Sequence, residues 1–180
     1  MRVVATRPTI AFAGRMWIYL LRHGIAENPT LGQPDEQRAL TPQGWERLER
    51  ASEAWQKLVL KPNTILCSPY LRACETASVL AKASGYDGAL QKEDALVPHA
   101  QTAQAIAALE GEMLQQTSAV ALVGHEPHLG YLLGSLVTGH PRISIPFGRG
   151  QLVGLETEST TSLTTTMRFS MRQSLAAKLT

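Results

Sequence analysis

Two arginines and two histidines in this chain stand just past the ends of apolar runs. Arg22-His23-Gly24 follows Trp17-Ile18-Tyr19-Leu20-Leu21, and Ser68-Pro69 with Arg72 follows Thr64-Ile65-Leu66-Cys67. Gly124-His125 follows Ala119-Val120-Ala121-Leu122-Val123. A pair of guanidiniums suits a phosphate or carboxylate, because each fork offers parallel N–H donors to two oxygens. An imidazole beside such a pair can attack as a nucleophile, and a second can stabilise charge or transfer a proton. Arg72 falls in the first turn of a helix expected after Ser68-Pro69, where the dipole disfavours a cation. A bound anion reverses that sign, since the free N–H groups, the dipole and Arg72 then all face one negative group.

The elements that position these residues follow from periodicity. The three apolar runs are continuous rather than alternating, which is the pattern of strands buried on both faces. Each is followed, directly or after a loop, by a helical pattern. Thr41-Pro42 caps a helix whose apolar stripe includes Trp45, Leu48, Trp55, Leu58 and Val59, ended by Pro62. Ser68-Pro69 opens a second helix running to Ser84 and stopped by Gly85. A third spans about 101–116, and Pro127 starts a fourth that ends at Gly139. Residues 86–90 carry a weak strand pattern. Runs 151–156 and 162–168 read as a C-terminal β-hairpin, with a short helix over 174–179. Strand–helix alternation implies right-handed crossovers and a parallel sheet, so all three polar strand ends converge on one edge. The expected fold is a three-layer α/β/α sandwich with a mainly parallel central sheet and a C-terminal hairpin.

Composition bounds the rest. The chain has 180 residues, 44% hydrophobic and 18% charged, which is one domain with a real core. No apolar stretch approaches the ~20 residues that span a bilayer. Cys67 and Cys74 are the only cysteines, and their spacing fits free thiols in a reducing, cytoplasmic compartment. Arg2, Arg7 and Arg15 account for more than the whole net charge of +2, so the body carries no footprint for nucleic acid. Residues 1–15 read as a dispensable extension ahead of a domain over 16–180. The polar segment 27–44, rich in proline and glycine, reads as a loop beside Arg22-His23 with a substrate-covering role.

Taken together the motifs resemble the histidine phosphatase, or phosphoglycerate mutase-like, superfamily. The matching residues are Leu21-Arg22-His23-Gly24, Ser68-Pro69-Tyr70-Leu71-Arg72-Ala73 with Glu75-Thr76-Ala77, and Val123-Gly124-His125. Arg38-Ala39-Leu40-Thr41-Pro42-Gln43-Gly44, Gly124-His125-Glu126-Pro127-His128 and the short length look most like the SixA-type phosphohistidine phosphatases. The resemblance implies that His23 attacks phosphorus and carries a covalent phosphohistidine, which water hydrolyses. It implies that Arg22, Arg72 and His125 hold the phosphoryl oxygens and the transition-state charge. No cofactor or metal is implied. His128, three residues from His125, lacks the further ligands a metal needs and reads as a helix-turn or rim residue.

One departure stands out. Mutase-like relatives place a glutamate acid in the region that here reads Ala95-Leu96-Val97-Pro98-His99. Glu93, Glu126 and His99 are the candidates for an acid or a pocket rim, and sequence does not choose among them. A leaving imidazole protonates near neutrality, so a missing strong acid favours phosphohistidine over an alkyl phosphate. The expected activity is removal of phosphate from a phosphohistidine protein, such as a histidine phosphotransfer domain, by a monomeric enzyme. The alternatives are a small-molecule or general phosphomonoesterase on the same fold and a non-catalytic phosphate-binding module.

Overall fold

Strand β1 (Trp17–Arg22) lies inside a six-stranded sheet because its four central residues are wholly buried, as its uninterrupted apolar run requires. The computed structural model describes residues 14–159, 161–176 and 178. The other strands are β2 (Thr64–Cys67), β3 (Gln91–Lys92), β4 (Ala119–Gly124), β5 (Leu152–Thr157) and β6 (Thr165–Met171). Their order is β3-β2-β4-β1-β5-β6. The first four are mutually parallel; β5 runs antiparallel to β1, and β6 to β5. Arg22 is in register with Gly124, and Cys67 with Val123, so the three polar strand ends meet at one edge.

Alternation along the strands divides the core. Tyr19, Leu21, Ala121 and Val123 face helices α1 (Pro42–Leu58), α2 (Leu71–Ser84) and α5 (Gln173–Ala176). Ile18, Leu20, Val120 and Leu122 face α3 (Thr102–Leu114) and α4 (His128–Thr138). The result is the expected α/β/α sandwich with a mainly parallel sheet. Trp55 is completely buried, and the half-buried Trp45 packs against the same core cluster. Truncating Trp55 to alanine costs about 3–5 kcal/mol.

Several boundaries differ from expectation. Helix α1 ends at Leu58, ahead of Pro62: Val59 turns extended and buries its side chain, and the Leu60 N–H donates to the Tyr19 hydroxyl at 3.0 Å. Helix α2 starts at Leu71 with no side-chain cap, because the N-cap position falls on Tyr70; the Ser68 hydroxyl accepts the Tyr70 N–H at 3.3 Å and meets His125. Residues 86–90 form a turn closed by the Tyr86 hydroxyl on the Ala89 carbonyl, and the strand comes after it. Pro127 immediately precedes α4 rather than opening it. Residues 1–13 of the expected extension lie outside the described residues. Among the described residues no helix is long and apolar enough to cross a membrane.

Candidate active site

The site begins with the packing of Gly24. A Cβ there would lie 2.7 Å from Leu48 Cδ1, so only glycine lets the turn after β1 settle onto α1. Gly44 answers it: a Cβ would meet the Ile25 carbonyl oxygen at 2.2 Å. The Thr41 side chain caps α1 by accepting from the Gly44 N–H at 3.0 Å, as its sequence signal predicts. Thr76, wholly buried in α2, accepts the Gly24 N–H at 3.1 Å and donates to the Arg72 carbonyl at 2.7 Å. These contacts fix His23 relative to Arg72.

His23 Nδ1 lies 2.8 Å from the Gly24 carbonyl oxygen. A carbonyl only accepts, so Nδ1 carries the proton and Nε2 keeps its lone pair. Burial pushes the His23 pKa down to about 3, and the charges of Arg72, Arg22 and Arg149 add to this against the Gly24 hydrogen bond. The ring is therefore neutral at physiological pH. His125 stands beside it, ring centroids 4.9 Å apart. Burial, then His23 and Arg72, lower the His125 pKa to about 2. Its Nε2 lies 2.8 Å from Ser68 Oγ, which orients the ring, and its Nδ1 has no partner. The Tyr70 ring packs edge-on against His125 at 5.1 Å and under the Arg72 guanidinium at 4.9 Å.

The two arginines are held differently. Arg22 Nη1 donates to the Phe147 carbonyl at 2.6 Å, and its Nε is buried without a partner. Burial lowers its pKa, while the nearby Glu126 opposes that shift. Arg72 is only 3% exposed rather than the surface residue its type suggests. It donates to the Asp35 backbone carbonyl at 2.6 Å and to its carboxylate at 2.8 Å, and its Nε is also unpartnered. Burial favours the neutral form of Asp35, but hydrogen bonds from Arg72 and Arg38 outweigh it and hold its pKa below the usual range.

These groups line a pocket of about 320 Å3 with Arg22, His23, Arg72, His125 and Glu126 facing it. Glu126 accepts the Phe147 N–H at 2.7 Å, which ties it to the segment that steadies Arg22. Glu93 and His99 do not line the pocket. Glu93 caps the single turn 94–96 by accepting the Ala95 N–H at 3.1 Å, and His99 is exposed while its neighbour Pro98 reaches the rim. The loop over 27–44 does lie at the pocket. Ala26 bridges Leu40 at its base, the Leu40 N–H donates to Glu75 at 2.6 Å, and Asp35 opens a helical turn beside Arg72.

Sequence reasoning missed Asp35, Ser68, Arg38 and Arg149. The signal for Asp35 was present: a buried arginine in the first turn of a helix demands a counter-charge, and the nearby loop offers few acids. The Phe147 carbonyl left no side-chain signal at all.

Comparisons with known proteins bear on the family and the fold. Residues 18–97 match the Histidine phosphatase superfamily (branch 1). An uncharacterised protein of Picosynechococcus sp. is 31% identical over 140 residues, which are 78% of this chain and 84% of that protein. The structure of the protein histidine phosphatase SixA complexed with tungstate superposes with a TM-score of 0.79 at 21% identity, covering 88% of this chain and 98% of SixA. A mycobacterial glucosyl-3-phosphoglycerate phosphatase gives 0.64 at 15% identity, covering 86% and 97%. A phosphoglycerate mutase from Bacillus anthracis gives 0.68 at 13% identity, covering 92% and 96%. At these identities the structural likenesses establish the phosphoglycerate mutase-like fold. The chain belongs to the histidine phosphatase superfamily and is an enzyme of that class, a histidine-nucleophile phosphatase.

Proposed function

We propose that the enzyme removes phosphate from a phosphohistidine carried by a protein, through a covalent phosphohistidine on His23. The observation that carries this reading is the His23 ring itself: neutral, with its proton fixed on Nδ1 by the Gly24 carbonyl and the Nε2 lone pair left free. Nε2 attacks phosphorus, and the P–N bond to the substrate imidazole breaks. The phosphoryl group is then held by Arg22, Arg72 and His125, whose Nε, Nε and Nδ1 atoms are buried without partners. Water attacks the phosphohistidine in the second step, returning His23 and releasing phosphate.

The substrate class follows from the acids. Three carboxylates line the pocket, those of Glu27, Asp35 and Glu126. Asp35 is held ionised by two arginines, Glu126 is engaged by the Phe147 N–H, and Glu27 accepts the Ala39 N–H at 3.3 Å. An alkoxide leaving group needs a proton donor in the transition state; a leaving imidazole takes its proton from solvent near neutrality. A phosphoramidate is therefore the substrate the site handles without an acid. The enzyme acts as a monomer in the cytoplasm, where Cys67 and Cys74 stay free thiols.

Brief reaction with a phosphohistidine protein should leave acid-labile phosphate on wild type and none on His23→Ala. A substrate panel tests the class: phosphohistidine protein against phosphoserine peptide, sugar phosphate and aryl phosphate. Rapid sugar-phosphate turnover with no action on phosphohistidine replaces this reading with that of a small-molecule phosphomonoesterase. Neither label nor turnover on any substrate leaves only a phosphate-binding module.

A further inference from the structure

A second groove, of about 580 Å3, adjoins the catalytic pocket. Arg47 and Arg50 of α1, Arg149 of the turn before β5, and Arg172 and Lys178 flanking α5 all line it, and among the described residues no acidic side chain does. All five cations are exposed. Arg50 has one acidic neighbour, Glu46 at 3.9 Å, but both side chains are more than 60% exposed and such a pair is weak. Gln173 also lines the groove; it is 6% exposed, and its Nε2 lacks a hydrogen-bond partner. Arg149 lines the catalytic pocket as well, and its charge acts on both Arg22 and His23. Arg149 thus borders both the groove and the pocket.

We propose that this groove docks an acidic segment of the protein whose phosphohistidine enters the pocket. The identity of that partner rests on the phosphohistidine-protein reading above. Five cations gathered with only the weak counter-charge of Glu46 repel one another, and several negative groups at once relieve that cost. A lone small anion meets one or two of these solvated side chains. Carboxylates spaced along a chain meet most of them, and a backbone or side-chain oxygen satisfies Gln173. Nucleic acid fits less well: no aromatic side chain lines the groove for bases to stack on, and the whole chain carries only +2.

The test uses two labelled, unphosphorylated peptides of equal length, each with one histidine, flanked by Asp and Glu or by Ser and Asn. Anisotropy titration should show the acidic peptide binding wild type at least about tenfold tighter at low salt, with the gap closing as salt rises. The triple variant R47E/R50E/R172E should lose that preference while hydrolysing aryl phosphate within about twofold of wild type, since distant sites act independently. Equal binding of both peptides, or a preference that survives in the variant, overturns the proposal. So does a short RNA that binds wild type as tightly as the acidic peptide. The same peptides phosphorylated on histidine separate the two readings. Turnover of both at equal kcat/KM overturns the groove and leaves the phosphohistidine reading standing. Tight acidic binding with turnover of neither does the reverse.

Discussion

The parallel and antiparallel halves of the sheet treat their polar groups in opposite ways. In the parallel half, β1, β2 and β4 are buried and end in Arg22, His23, Ser68 and His125, where Arg22 Nε and His125 Nδ1 remain unpaired. In the antiparallel half polar groups find partners. Glu156 of β5 pairs with Arg168 of β6 and lies 3.8 Å from Arg15, and Thr165 donates to the Leu136 carbonyl at 2.9 Å. The hairpin is a scaffold that closes the sheet. The unpaired atoms of Arg22, Arg72 and His125 gather at the carboxyl edge of the parallel strands, where an anion can use them.

That contrast can be broken by substitution, most severely at the proposed nucleophile. His23→Ala should lower kcat by about 10^4-fold or more with the fold retained, measured by turnover and circular dichroism. Arg72→Ala should cost about 10^2–10^3-fold in kcat, and Arg72→Lys should not restore it, because a point charge cannot replace a fork held by Asp35. Asp35→Asn should reduce kcat/KM by about tenfold by freeing the Arg72 guanidinium, an effect on Arg72 geometry that leaves phosphoenzyme formation detectable.

The pH dependence sharpens the same contrast. The folded-state pKa values of His23 and His125, about 3 and about 2, lie below the ordinary 6.5. Below pH 6.5 the unfolded chain binds protons that these buried rings refuse. Their contribution to stability is therefore full above pH 6.5 and is lost as pH falls toward 3. Denaturant melts across that window should show this loss, diminished in His125→Gln. The acid limb of kcat/KM should likewise fall well below 6.5. At the other extreme, Arg168→Ala on β6 should change stability by no more than about 0.5 kcal/mol and leave turnover unchanged, since its pair with Glu156 is exposed.

Much of this half-and-half arrangement is legible in the sequence because it is local. An uninterrupted apolar run followed by Arg-His-Gly states both a buried strand and a polar end. The hairpin is legible from turn residues between two strand-like runs. The unread parts join residues far apart: Ser68 to His125, separated by 57 positions, and Arg72 to Asp35, separated by 37. Ser68 was misread as a helix cap because a serine before proline has that local use, and only the fold turns its hydroxyl toward His125. Glu93 was a candidate by nearness in sequence, yet its side chain is engaged by the Ala95 N–H.

The Thr76 hydroxyl, which joins the Gly24 N–H to the Arg72 carbonyl, acts as a spacer gauge for the whole reaction. One oxygen sets the gap between the strand end that carries His23 and the helix end that carries Arg72. Serine preserves that gauge. Valine keeps the bulk but has no hydroxyl for either bond, so the two ends can drift apart inside a chain that still folds. A buried hydroxyl away from the pocket lining thus limits which side chains this position accepts.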